Sequence, residues 1–491
     1  MTDAVSTVLP AARFRLALSG LLLAIVLSSL DQNIVATALP RIAGDLGDVS
    51  QIPWIVTAFM LSATIATPVC GKLSDMYGRR RLFAVSIGIF LAASVLCGLA
   101  ANMPQLVMFR AAQGLGAGGL VTLSQSTIGD LVGPRQRGRY QGLFGGAMAV
   151  SQVVGPLLGG ALLAIASWRW IFLASLPLGM VALVLLTTAL PHGQKVRTHR
   201  IDIAGAVFWA IGAASSLLLL SAIGGAGPAS PRELATIAAS AVVFTGLFLR
   251  RERRASEPIL SLQLFRIPSF AIGVSAAAMM TFAMQAAMVF LPLYFQAVLG
   301  QSPAVSGLML LPQVAAMIVS STFGGRRSAR SGAFKRYFVF GVALEATALM
   351  LLVACALTDA GPLPFLVALA VLGLGTGLGM PNAIVIVQNA VPRHVLGSAT
   401  GSMSFMRALG GALGVTLSGC AMRFALGGAN IPALDELLAG ALAAPEGAQH
   451  GEPLAAALRI AIASSFGCGA VMMAAALLTC MVLPARTTDE A

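Results

Sequence analysis

Long apolar runs separated by short polar stretches set the pattern of this chain. A run of roughly 20 apolar residues spans the hydrocarbon core as a helix. Fourteen such runs occur, near 16–39, 52–72, 82–101, 105–128, 140–164, 169–190, 202–223, 233–249, 269–292, 304–323, 337–357, 363–387, 397–422 and 457–483. The pattern predicts an all-α integral membrane protein. Composition agrees: of 491 residues 57% are hydrophobic and 10% charged, against roughly 25% charged in an ordinary soluble domain. The 53 glycines and 24 prolines suit membrane helices, which use both for close packing and local bends. Basic residues precede the first run as in a signal peptide, but the run continues for about 23 residues without a small-residue cleavage site, so it is expected to be a retained span.

Charge placement tests the span count. Cytoplasmic loops of membrane proteins hold an excess of Lys and Arg. With both termini inside, 24 of the 31 basic residues fall in cytoplasmic segments, five face the other side (Arg41, Arg169, Arg232, Arg423, Arg459), and Arg110 and Arg407 stay within spans. Losing one span would swap every later loop and destroy this asymmetry. The net charge of +13 therefore marks membrane orientation and predicts no nucleic-acid partner. Six cysteines (Cys70, Cys97, Cys355, Cys420, Cys468, Cys480) lie in apolar runs without CxxC spacing, so neither a metal site nor a disulfide framework is expected. The histidines, His192, His199, His394 and His450, lie in or beside loops and read as solvated, with pH switching left open.

An internal repeat divides the chain. VGPRQRGRYQG near 134–142 is echoed by VPRHVLGSATG near 392–401, and QGLGAG at 113–118 by LGLGTG at 372–377, both displaced by about 259 residues. GKLSDMYGRRR at 71–81 has a degraded copy in GGRRSARSGAFKR at 324–336. Two six-helix halves, 1–200 and 251–491, with an inserted pair at 201–250, account for the displacement. Parallel repeats of this kind belong to secondary transporters with a site between the halves at mid-membrane.

Four charges lie deep in the spans: Asp31, Arg110, Glu345 and Arg407. An acid at the centre of a membrane helix costs about 2.5–3.5 kcal/mol on insertion scales and usually marks an ion or substrate path. Asp31, in SSLDQNIVATALP, is the leading candidate. Gln285, Tyr294, Gln296, Gln388 and Asn389 are polar positions on spans that line a cavity or hydrogen-bond between helices.

The loop G71-K-L-S-D-M-Y-G-R-R-R81 resembles the signature loop between helices 2 and 3 of the major facilitator superfamily. Gly71 and Gly78 permit a tight turn, Asp75 accepts from helix-end amides or arginines, and Arg79, Arg80 and Arg81 hold the loop inside. By resemblance this loop latches the two halves, with Asp130 a further partner for Arg79. R110-A-A-Q-G-L-G-A-G-G119 is similar to that superfamily's buried arginine followed by packed glycines, which adds Gln113 to the candidates. G155-P-L-L-G-G160 resembles the antiporter motif, in which Gly155 and Pro156 bend the helix and a face including Gly159 and Gly160 packs against the partner half. LDQNIVATALP, W168-R-W-I-F-L-A-S-L-P-L-G179, EPILSLQLFR at 257–266 and FLPLYFQAVLGQSP at 290–303 narrow the resemblance to the fourteen-helix drug:proton antiporter branch. Two departures stand out: Ser175 replaces the branch's usual Asn, and Arg327 or Ser328 stands where the second loop copy wants an acid.

The resemblance implies a major facilitator fold of two six-helix halves plus two inserted helices, in the inner (cytoplasmic) membrane with both termini cytoplasmic. It implies a proton-coupled exporter of small amphipathic compounds. Asp31, Arg110, Gln113 and Glu345 are the coupling candidates, and Asn33 and Arg407 join the cavity candidates. Glu345 is expected at the periphery with a local or snorkelled contact. Substrate, protons and the bilayer are the expected partners, with no cofactor; the chain reads as a monomer, accessory periplasmic or outer-membrane components being left open. Export of an endogenous metabolite, siderophore or amino acid by the same fold is the alternative. No GxxxxGK[ST] phosphate loop is present, which argues against an ATP-driven pump, and no nucleophile–base or metal constellation argues for an enzyme.

Overall fold

The computed structural model describes residues 9–47, 51–191, 202–223, 230–255, 258–358, 361–427 and 452–483. His192, His199, His450, Lys195, Arg197, Arg200, Arg486 and Glu257 lie outside the described residues. Among the described residues, fourteen helices are long and apolar enough to cross a membrane. The first six crossings are α1 (Ala11–Leu46), α2 (Ile52–Tyr77), α3 (Arg79–Gly98), α4 (Met103–Leu131), α5 (Pro134–Ile165) and the broken pair α6 (Arg169–Leu173) with α7 (Ser175–Ala189). The next two are α8 (Ile203–Ile223) and α9 (Pro231–Glu252). The last six are α10 (Pro268–Ala297), α11 (Pro303–Leu308) leading into α12 (Leu311–Ser331), α13 (Phe334–Leu357), α14 (Pro362–Asn389), α15 (Leu396–Gly427) and α16 (Glu452–Met481). Several open with Pro in the first turn, where its missing N–H costs nothing.

Glycine rows build both halves by one scheme. Gly114 and Gly118 of α4 press on the carbonyls of Phe59 and Ala63 in α2, and their repeats Gly373 and Gly377 of α14 press on the carbonyls of Gln313 and Met317 in α12. Because lipid tails are as apolar as Leu, helices in a membrane associate through close backbone approach of this kind. Around these contacts α1 packs on α4, α5 and α7, while α10 packs on α14, α15 and α16.

The halves meet along two seams, α2 on α15 and α5 on α12. Gly71 abuts the Gly397 carbonyl, and Gly142 abuts the Ser321 carbonyl. These residues lie toward the helix ends that carry the Lys/Arg-rich loops, so the molecule is closed on its basic side. The inserted pair rests across the first seam: Trp209 of α8 donates to the Ile65 carbonyl of α2 at 3.0 Å, while its ring meets Phe405 of α15 at 4.2 Å.

The structure corrects the expectation for the α5 glycines. Gly155 and Gly159 pack on Asn33 and Thr37 of α1, within their own half, and Gly160 faces open space. At that height α5 no longer faces α12; the inter-half contacts of Gly138, Gly142 and Gly146 lie nearer its N-terminus. Helix α5 itself continues unbroken through Pro156.

A Cβ at Gly142 would strike the Ser321 backbone, a clash of a kind that costs typically 1–3 kcal/mol. Gly142→Leu is therefore expected to leave each half folded but to wedge the second seam. Spin labels at exposed Gln136 and Ser331 should read a longer distance than in the parent protein; an unchanged distance would refute the seam's dependence on glycine.

Candidate functional site

Helices α1, α3 and α4 bring Asp31, Ser94, Arg110 and Gln113 together. The Arg110 Nη1 donates to Asp31 Oδ2 at 2.6 Å and to Gln113 Oε1 at 2.6 Å. Gln113 Nε2 donates to Asp31 Oδ1 at 2.9 Å and to Ser94 Oγ at 2.8 Å. Both carboxylate oxygens are thus engaged, and the amide uses both its donors. Ser175, at the start of α7, extends the chain by donating to Ser94 Oγ at 3.3 Å. Arg110 also donates from Nε to the Ile55 carbonyl at 3.3 Å and sits 4.1 Å from the Phe59 ring centroid. The pair is sealed: Asp31 is 4% and Arg110 1% exposed.

A buried ion pair survives only when its remaining donors and acceptors are also satisfied, and here carbonyl, amide, hydroxyl and aromatic faces do this. Ser94 is the member that sequence reasoning missed. Its spacing relative to Arg110 carries no signal, because the two lie on different helices.

The repeat does not place the same residues in the second half. The repeat sets R110-A-A-Q-G-L-G-A-G beside L369-A-V-L-G-L-G-T-G, so Leu369 and Leu372, both fully buried, occupy the places of Arg110 and Gln113. The ionic centre belongs to one half alone.

On the basic side Asp75 does two jobs. Its carboxylate accepts from the backbone amides of Gly397 at 2.9 Å and Ser398 at 2.8 Å, in the first turn of α15, and pairs with Arg79 at 2.8 Å. An acid of the first half thereby caps a helix of the second, where unpaired amides and the helix dipole favour negative charge. Arg79 in turn reaches Asp130 at 2.8 Å and donates to Ser74. Arg80 lies half-buried at the start of α3 beside Gly78, whose φ of 89° only glycine adopts readily. In the second seam Ser328 sits against Gly138 where an acid would stand.

A further inter-half network centres on Arg137, whose guanidinium donates to the carbonyls of Gly129 and Gln388 and to Asn389 Oδ1 at 2.7 Å. Gln388 donates to the Gln125 carbonyl at 2.9 Å. Gln388 and Asn389 are therefore seam residues rather than cavity residues in this state. Tyr294 is also corrected: it is fully buried in a ring cluster with Phe295 and Phe365. Gln285 and Gln296 remain half-buried on α10, with Gln285 against Gly411. Arg407 is half-buried beside Thr281, whose Oγ1 lies 3.4 Å from its Nε. Asn33 donates to the Ser29 carbonyl at 2.6 Å.

Glu345 is neither peripheral nor snorkelled. It is fully buried where α13 crosses the glycines of α14, with its backbone against Gly375, and among the described residues neither carboxyl oxygen has a hydrogen-bond partner. The glycine crossing draws that face of α13 into the half's interior.

Comparisons with known proteins converge on one family. The model of the Major Facilitator Superfamily matches residues 21–415. The chain is 35% identical to the multidrug transporter protein MdtP of Bacillus subtilis, over 83% of this chain and 75% of that protein. To multidrug resistance protein 3 of the same organism it is 33% identical, over 82% and 78%. The solved proton:xylose symporter XylE shares the fold, with a TM-score of 0.65 at 15% identity and 96% of each chain covered. Sequence likeness along most of the chain thus agrees with a duplicated helical architecture: the protein belongs to the Major Facilitator Superfamily of membrane transporters.

Proposed function

We propose that the protein is a drug:proton antiporter that exports small amphipathic or lipophilic compounds from the cytoplasm, with its Lys/Arg-rich side and both termini cytoplasmic and the cell inner membrane as its location. The observation that carries this reading is the sealed Asp31–Arg110–Gln113 centre, a buried acid paired with a buried base inside one half. The names of the multidrug relatives support the substrate class.

In this scheme the closed basic side is the state facing outward, and the Asp75 cap on α15 together with the Arg137 network must part when the halves rock. A carboxylate held by a guanidinium keeps its charge, while a buried carboxylate left without one binds a proton. Because Asp31 and Arg110 stand on α1 and α4 of the same half, coupling in this scheme requires a local shift of α4 against α1 that accompanies the parting of the seams. The membrane potential contributes about 2.3 kcal/mol per charge per 100 mV to such a cycle. Glu345, lacking a charged partner and lying away from this centre, is assigned no step.

The central test is proton release on drug addition to purified protein. Asp31→Asn keeps the hydrogen-bonding shape of the side chain and is expected to insert normally yet release no proton; release equal to the parent's would move attention to Glu345. Should that single change lower yield by stranding the Arg110 charge, Asp31→Asn with Arg110→Gln removes both charges and is expected to fold, again without release.

The latch makes a separate prediction. Asp75→Asn should weaken the cap on α15, at about 1 kcal/mol for an N-cap loss, and impair turnover in everted vesicles more than membrane insertion. Wild-type transport at wild-type expression would refute it. Orientation is checked by Arg327→Cys, which should react with a membrane-impermeant maleimide from the cytoplasmic side only.

A further inference from the structure

The second seam differs from the first in the sign of its charge. Where Asp75, Arg79 and Asp130 close the α2–α15 side, the α5–α12 side presents Arg135 and Arg139 from α5 and Arg326 and Arg330 from α12 around a cavity of about 520 Å³. Among the described residues no acid lines it. Arg135 stands in the first turn of α5, so the partial positive charge of a helix start adds to the arginines. Like charges on the two halves oppose closure, yet this seam is closed by glycine contacts.

Directly beside it lies a second cavity, of about 380 Å³, which shares Arg139, Tyr140 and Arg326 with the first. Its other walls are mainly apolar: Phe14 and Leu18 of α1, Leu143 of α5, with Arg15 at the rim. Phe14 and Tyr140 meet edge to face at 5.5 Å. A chamber lined by four arginines joined to an apolar one at a membrane-protein rim has the chemistry of one ligand class, a phosphate head with a hydrocarbon tail.

We propose that this double cavity binds an anionic phospholipid, its phosphate among the four arginines and an acyl chain along Phe14, Leu18 and Leu143. The lipid supplies the seam with the negative charge that the loop copy at 324–336 has lost, and by bridging α5 to α12 it favours closure of the basic side. Charge complementarity selects an anionic head over a zwitterionic one. The apolar chamber selects a lipid over a free phosphate ion.

Native mass spectrometry of the purified full chain tests this with phosphatidylglycerol, phosphatidylcholine and inorganic phosphate as probes. Phosphatidylglycerol should be retained in preference to phosphatidylcholine. Arg326→Gln with Arg330→Gln, both at exposed positions, should weaken it by about thirtyfold. Leu143→Trp, which fills the apolar chamber, should also reduce retention. Neutralising Arg250, Arg253 and Arg254, an exposed basic group at the end of α9 and just beyond it, should change nothing. Equal retention of the two lipids, or equal loss in that control, would overturn the proposal. So would displacement by inorganic phosphate with no effect of Leu143→Trp, because the site would then hold an anion alone.

Discussion

Everything in this molecule rests on close backbone contact between helices. In lipid the helices gain nothing by hiding apolar side chains from one another, so van der Waals packing must hold them together. Gly114, Gly118, Gly373 and Gly377 assemble the two halves, and Gly71, Gly142 and Gly397 join them. The same device serves two purposes with different permanence. Contacts within a half are extensive and buried. Those at the seams are confined to the basic side, where rocking can undo them.

Polar groups are laid over this frame asymmetrically. The Asp31–Arg110 pair lies wholly in the first half, where Gln113, Ser94 and the Ile55 carbonyl take up its remaining hydrogen-bonding capacity. The positions corresponding to Arg110 and Gln113 in the second half are leucines within its main hydrophobic core. The two halves share a scaffold and do different work: one carries the ionic centre, the other an apolar core in which the Glu345 carboxyl has no hydrogen-bond partner among the described residues.

The seams show the same division. The first is held by an acid from one half on the helix start of the other. The second pairs arginines across the gap around a basic cavity. Trp209 and helix α8 lie against the first seam, so opening the basic side breaks different interactions on its two flanks.

The amino-acid sequence by itself determined the fourteen crossings, because each is written locally as a run of apolar residues and checked by the basic loops between them. It also determined the duplication, the glycine rows and the identity of the charged residues at stake, since burying a charge in a membrane helix is costly enough to stand out in any apolar run. Tertiary structure alone decided who meets whom. Ser94 and Ser175 join the centre through helices brought together from afar, and no spacing announces that. Gln388, Asn389 and Tyr294 read alike as polar positions on spans, yet two tie the seam and the third fills a core. Gly155 and Gly159 carry a packing face whose partner depends on which helix stands opposite at that height. Periodicity records which residues share a face; the rotation and crossing of each helix decide what that face touches.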